Sequence, residues 1–315
     1  MFYIDFICLL RYNLKRYYYE KRQSMKRKLD PRLMLIISMV TFGTIGLFVK
    51  SIALSSGEIA LWRAVLATTL IGLFLLITKQ KIPFKSIKKE IPLLIASGCA
   101  IGINWIFLFE AYKYTSVSAA TLSYYFAPII VTLVCPFLFK EKMSPKAWIC
   151  FGASTVGFVL ITVFGGGEGT GHFLGILFGL LAAVFYATVI ILNKFIKNVG
   201  GIHRTFLQFL AAIVTLLPYV LFTSGIQVAT LDGKGLGFLL IVGIVHTGIT
   251  YCLYFSSLGE LKGSEVALLS YIDPLVAVLV SVFILQEGIN AWQIVGGALI
   301  LGFTLWNELP SKKRN

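Results

Sequence analysis

Residues 172–192 read HFLGILFGLLAAVFYATVIIL, twenty-one positions without one Asp, Glu, Lys or Arg. As an α-helix this stretch is about 30 Å long, the thickness of the hydrocarbon core of a bilayer. The same pattern recurs on both sides of it. Apolar blocks fill 32–51, 58–78, 91–112, 116–139 and 146–164, then 205–224, 236–257, 262–285 and 291–307. With 172–192 they make ten candidate spans. The breaks between them are polar or glycine-rich: Thr78–Glu90, Lys140-Glu141-Lys142, Gly165-Gly166-Gly167 and Leu231-Asp232-Gly233-Lys234. A transmembrane β-barrel would show segments of about ten residues with alternating polarity, and none is present. The sequence therefore predicts an all-α integral membrane protein.

Composition agrees. Hydrophobic residues make up 57% of the 315 and charged ones 13%, against about 45–50% and 25% in soluble domains. The net charge of +14 would suit nucleic acid, but the bases lie in short runs between apolar blocks, as topogenic signals do. No nucleic-acid partner is expected. Cys8, Cys99, Cys135, Cys150 and Cys252 are scattered, mostly inside the blocks. Without C-x-x-C or His/Cys ligand spacing, neither a disulfide framework nor a metal site is predicted, and no cofactor is expected.

The distribution of Lys and Arg sets the orientation. With the amino terminus inside, the cytoplasmic side receives nine bases up to Arg32, five in the second loop, three in the fourth and three in the sixth. Lys262 and the tail Lys312, Lys313 and Arg314 fall there too. Outside lie Lys50, Lys113 and Lys234, with Arg63 inside a span. Both termini are expected in the cytoplasm, on a multi-pass protein of the cell membrane. Residues 1–31 form a basic amino-terminal segment and 308–315 a basic tail. Within the former, Met25-Lys26-Arg27-Lys28 makes an ordinary start to a membrane protein. Residues 1–24 read either as an interfacial segment or as translated upstream sequence.

The two halves repeat each other. A shift of 146 places Gly102, Phe109, Ser118, Leu122, Tyr125, Pro128, Phe137 and Glu141 on Gly248, Phe255, Ser264, Leu268, Tyr271, Pro274, Phe283 and Glu287. A shift of 144 places Val40, Thr44, Lys50 and Gly152 on Val184, Thr188, Lys194 and Gly296. Residues 32–164 and 172–307 are thus predicted to be two five-helix repeats. An odd number of spans turns the second upside down. Inverted repeats belong to carriers with a site near the midplane between them.

These residues resemble the drug/metabolite transporter superfamily, in its ten-helix EamA-like branch. In the first half the likeness rests on Phe42-Gly43, Arg63 with Ala67, Ala111–Ser116, Pro128, Glu141, Gly152 and Gly157. In the second it rests on Tyr186-Ala187, Asn193-Lys194, Tyr251, Tyr271-Ile272-Asp273-Pro274, Glu287 and Gly296-Gly297. Phe42 stands where that family often has Trp. The resemblance implies a basket-like fold and export or exchange of amino acids or similar metabolites.

Several residues are candidates for carrying that function. Pro128 and Pro274, near mid-span, free the carbonyls of Tyr124 and Ser270. They read as kinks or, with Tyr124, Tyr125, Ser270 and Tyr271 beside them, as the wall of a cavity. Asp273 is an acid at mid-span, where an ionised carboxylate costs roughly 2.5–3.5 kcal/mol to insert. It is either a hydrogen-bonded packing element or a group that binds a proton or a substrate amine. His246 offers the same two readings, and it shares a helical face with Thr250 and Ser257. Thr41, Thr44, Asn104, Trp105 and Tyr186 are further cavity candidates. Arg63 and Glu110, nearer the outer surface, are placed to form an ion pair at an outer gate, or to snorkel separately. Glu141 and Glu287 are expected to anchor loops.

Rival classes lack their parts. A channel needs a ring of like residues or a filter loop. An intramembrane enzyme needs a nucleophile–base pair, H-E-x-x-H or paired aspartates, and Asp273 is the only deep acid; no enzymatic activity is expected. With no phosphate-binding loop, transport would run on a proton or substrate gradient. A permease or channel-like facilitator without proton coupling is the alternative. Either way the expected partners are a small-molecule substrate and the lipid bilayer.

Overall fold

The computed structural model describes residues 29–82, 84–139, 144–164, 170–258, 261, 266 and 269–309. The amino-terminal segment through Lys28, Glu141, the glycines 165–167, Lys262 and the basic tail lie outside the described residues.

Among the described residues the longer helical segments of the first half are α1 (Pro31–Val49), α2 (Ser56–Ile77), α3 (Ile91–Tyr114), α4 (Val117–Tyr124 and Ala127–Phe139) and α5 (Pro145–Phe164). The second set is α6 (Thr170–Phe195), α7 (Gly201–Thr223), α8 (Gly233–Leu258), α9 (Ile272–Ile284) and α10 (Ala291–Glu308). Eight helices among the described residues are long and apolar enough to cross a membrane, and α9 is a shorter apolar helix. Side-chain caps begin several of them. Ser55 accepts from Glu58 N–H at 3.1 Å, Ser116 from Ala119 N–H at 3.1 Å, and Asn290 with Gln293 closes a reciprocal capping box. The Asp232 carboxylate accepts from Gly235 N–H at 2.7 Å. It therefore starts α8 at Gly233, three residues before the apolar block.

Burial here inverts the soluble pattern. Phe222, Ile77 and Phe283 are among the most exposed large side chains, while Ser38, Ser97, Thr247 and Ser281 are fully buried. Outward apolar faces suit lipid, and small polar residues let helices approach and bond inside.

The helix contacts obey an exchange rule. α3 packs on α6 and α7, and α8 packs on α1 and α2; α4 packs on α6 and α9 on α1; α5 pairs with α10 and α2 with α7. Replacing each helix by its counterpart five positions along returns the same set. Individual residues follow it. A Cβ on Gly102 would lie 3.2 Å from Leu216 Cγ, and one on Gly248 2.5 Å from Leu70 Cδ2. Both pairs of positions are related by the 146-residue shift. Likewise Asn104 Nδ2 donates to the Ala182 carbonyl at 2.7 Å, and the Ser38 hydroxyl to the Thr250 carbonyl at 3.4 Å, bridging α3–α6 and α8–α1.

Candidate functional site

The site is built where two helices break. Pro128 has no N–H to give the Tyr124 carbonyl, and the first segment of α4 ends there. Tyr125 N–H turns back to the Thr121 carbonyl at 2.9 Å, and Ile129 and Ile130 both donate to the Phe126 carbonyl, at 3.0 and 3.1 Å. In the other repeat α9 begins at Ile272, with Pro274 in its first turn and Tyr271 at its N-cap. The two prolines thus mark breaks rather than bends in continuous helices. Such backbone is tolerated at membrane depth where it lines a cavity or is covered by protein.

A cavity of about 170 Å³ lies at these breaks, and a second of about 320 Å³ adjoins it. Tyr124, Tyr125, Tyr186, Ser270 and Asp273 line both. Arg63, Asn104 and Trp105 line the first, and Pro128 and Tyr271 the second. The Tyr125 hydroxyl, from the first repeat, donates to Asp273 Oδ2, from the second, at 2.6 Å. The walls are aromatic: Tyr124 lies 5.2 Å from Tyr186 between ring centroids, and Phe42 5.2 Å from Tyr251. Gly43 seats α1 against α9 at this level, since a Cβ there would meet the Asp273 carbonyl at 2.5 Å. Asn104 spends its amide on the Ala182 carbonyl, so it also holds α3 to α6.

Arg63 is placed differently from the expectation. It is 4% exposed and faces α3 and α8, with Nε donating to the Thr247 hydroxyl at 2.7 Å. Its guanidinium carbon lies 4.3 Å from the Trp105 ring centroid and 5.5 Å from that of Phe109. Glu110 does not pair with it but with Lys113, at 3.4 Å. The reason is helical phase. Phe109 faces the core, and the next residue is turned about 100° away.

Thr41, Thr44, Thr250, His246 and Pro274 line neither cavity. The Thr41 hydroxyl returns to the Ile37 carbonyl at 2.8 Å, and that of Thr250 to the Val245 carbonyl at 2.7 Å. His246, 2% exposed, joins α8 to α1, with Nε2 at 3.0 Å from the Thr44 hydroxyl and Nδ1 at 3.3 Å from the Ile241 carbonyl. It sits in a π-helical stretch, Ile241–Ile249. That widened turn rotates the faces expected of a regular α-helix and removes the His246–Thr250 stripe from the cavity. Conversely Tyr112, Thr121 and Tyr254 line the first cavity, and none of them is among the cavity candidates of the sequence. Tyr251 and Tyr254 share a face at i, i+3, a spacing that could have drawn attention to Tyr254.

Beyond the cavity, Glu287 gathers three elements. Its carboxylate pairs with Lys50 at the end of α1, accepts the Ser281 hydroxyl, and accepts Val117 N–H of α4 at 2.8 Å. This is the loop anchor expected of Glu287.

A family profile described as EamA-like transporter family matches residues 32–163 and again 173–307. The chain belongs to the EamA-like transporter family. Among EamA-like relatives, the "uncharacterized transporter YxxF" of Bacillus subtilis (strain 168) is 31% identical over 283 residues, 88% of this chain and 89% of that protein. An "uncharacterized transporter" of Archaeoglobus fulgidus is 29% identical over 202 residues, 63% of this chain and 70% of that one. Protein RarD of Streptomyces exfoliatus is 22% identical, covering 82% of each. A solved structure titled only "Crystal structure of protein" superposes with a TM-score of 0.60 at 18% identity, over 87% of this chain and 95% of that one. The EamA-like membership makes this chain a multi-pass membrane transporter, whose cargo is a small molecule.

Proposed function

We propose that this EamA-like chain is a secondary transporter that exports or exchanges small metabolites such as amino acids, by alternating access at the Asp273 cavity. The reading includes ten spans in the cell membrane, cytoplasmic termini, and repeats 32–164 and 172–307 inserted in opposite orientations. The observation that carries it is the 2.6 Å hydrogen bond from Tyr125 to Asp273. It joins the two repeats at their helix breaks, inside a cavity, so occupation of Asp273 by a proton or an amine bears directly on the contact between repeats. Rocking of one repeat against the other around a fixed midplane site is the expected motion.

The surroundings of the cavity support a direction of opening. On the side assigned to the outside, the Glu287 contacts tie α1, α4 and the end of α9 together. On the other side the second cavity reaches Ile190, four residues before Lys194, or about 6 Å along the helix. In this reading the structure is the inward-reaching form, and Tyr186 and Pro128 lie on the exit route. The cycle draws on a proton or substrate gradient and involves no covalent chemistry.

Purified protein in liposomes, preloaded with unlabelled solute and screened for counterflow of labelled amino acids, nucleosides and organic cations, tests the proposal. Counterflow of at least one class, diminished by bulky substitution at Ser270, is expected. Absence of counterflow with every class would remove the carrier reading.

A further inference from the structure

Arg63 is a buried cation. Among the described residues no carboxylate pairs with it, although a cation inside the bundle costs several kcal/mol unless compensated. What it has is partial. The Thr247 hydroxyl takes Nε at 2.7 Å, and the faces of Trp105 and Phe109 supply cation–π attraction at 4.3 and 5.5 Å. These contacts fix the plane of the guanidinium and use one of its five N–H donors. Thr247 is itself held, its hydroxyl donating to the Val242 carbonyl at 2.8 Å. Among the described residues neither Nη is recorded in a hydrogen bond, and neither is sealed inside protein. Arg63 lines the same cavity as Asp273, so its four remaining donors are what it offers there.

We infer that Arg63 is the anion-recognition group of this cavity and that the substrate is a zwitterion, with a compact oxyanion on Arg63 and an amine on Asp273. The inference rests on the carrier reading above and adds a requirement that reading does not make. A planar guanidinium clamped at Nε presents parallel N–H bonds that match a carboxylate or a phosphate in bidentate fashion. A purely cationic substrate would enter a site already holding an unpaired positive charge, and a purely anionic one would meet Asp273. A molecule with both charges satisfies both groups. The first cavity, at about 170 Å³, is close to the roughly 150 Å³ engineered cavity that accommodates benzene. It therefore seats the charged end of a small molecule of amino-acid size, and the adjoining cavity of about 320 Å³ takes what extends beyond it. The cavity's tyrosines and Trp105 suit an apolar or aromatic substituent between the two poles.

Calorimetric titration of the purified full-length protein tests this, with four matched sets of probes: amino acids, their carboxamides, their decarboxylated amines, and phosphoethanolamine. In wild type, an amino acid or phosphoethanolamine is expected to bind about tenfold or more tighter than the carboxamide or amine, as loss of a charge-assisted bond requires. Preference between the first and last sets tells carboxylate from phosphate. Arg63→Gln should bring the acid-to-carboxamide ratio to about one, and Arg63→Lys should retain part of it. Should Arg63→Gln fail to fold, the wild-type ratio and the lysine variant decide. The inference is overturned by equal binding of acid and carboxamide in wild type, by a preference that survives Arg63→Gln, or by binding of none of the four sets. Amines that bind and exchange without discrimination would sink this inference while leaving the Asp273 carrier intact. If no probe binds and no class shows counterflow, both fall together.

Discussion

Glu287 holds Lys50 and, through a different oxygen, the first backbone N–H of α4 at 2.8 Å. The two contacts differ in kind. The ion pair is partly exposed, and such pairs contribute about 0–1 kcal/mol. The bond to Val117 N–H satisfies a helix-terminal donor in a buried setting, where loss costs about 1–3 kcal/mol. Lys50→Ala should therefore lower the thermal unfolding midpoint in detergent only slightly, and Glu287→Ala clearly more. Equal effects of the two would show that the carboxylate acts only through Lys50.

Asp273→Asn keeps the acceptor for the Tyr125 hydroxyl and removes the charge. Folded yield should be unchanged, and uptake driven by a pH gradient should fall at least tenfold, about 1.4 kcal/mol, with energy-independent exchange reduced less, since the amine keeps a neutral acceptor there and loses only the charge. His246→Gln, in contrast, should leave pH-driven transport in place and lower thermal stability by about 1–2 kcal/mol, since its ring nitrogens bond Thr44 and Ile241. Liposome transport with and without an imposed gradient separates the two. Full pH-driven transport by Asp273→Asn would reduce that carboxylate to a packing role.

α5 and α10 cross at two glycines. A Cβ on Gly157 would stand 2.6 Å from the Gly296 carbonyl oxygen, and one on Gly296 2.5 Å from that of Gly157. Gly157→Ala must push the helices apart and should cost about 1–3 kcal/mol. Gly152→Ala, five residues earlier with nothing within 4 Å of the added carbon, should be neutral. Melting curves that rank the two in the opposite order would refute the crossing.

Orientation is open to a direct test. A cysteine replacing Gly233 should react with an impermeant maleimide added outside intact cells, and one replacing Lys88 should react only after permeabilisation. The reverse labelling would invert the assigned topology.

Much of the architecture was legible in sequence because membrane helices must satisfy their own backbone and face lipid, which writes them as long apolar blocks. The stretch at 172–192 follows from that rule, and the matched Tyr125/Tyr271 and Pro128/Pro274 follow from the repetition of one half in the other. The cavity was legible where polarity or proline broke the block, as at Asp273, Ser270 and Tyr124. It was not legible at Tyr112 and Tyr254, because a tyrosine in an apolar helix reads the same whether it packs or lines a void. Arg63 was misplaced for a different reason. Its proximity to a loop suggested the surface, but the Ser55 cap starts α2 at Ser56, about two turns earlier. His246 escaped because nothing in its neighbours announces a π-helical stretch.

The exchange rule among helix contacts bears on biosynthesis. Nearly every principal contact joins a helix of the first half to one of the second: α1 with α8 and α9, α2 with α7 and α8, α3 with α6 and α7, α4 with α6, α5 with α10. The sequence contains two homologous modules, yet neither half buries its own interior. During synthesis the first half would wait in the bilayer with Arg63 and the α3 glycines uncovered, needing shelter until its counterpart emerges. The covalent link at 165–169 should matter less than simultaneous presence, so 1–164 and 165–315 made as separate polypeptides should reconstitute a stable particle. Either fragment made alone should be degraded, and a long-lived single fragment would show that the halves are independent after all.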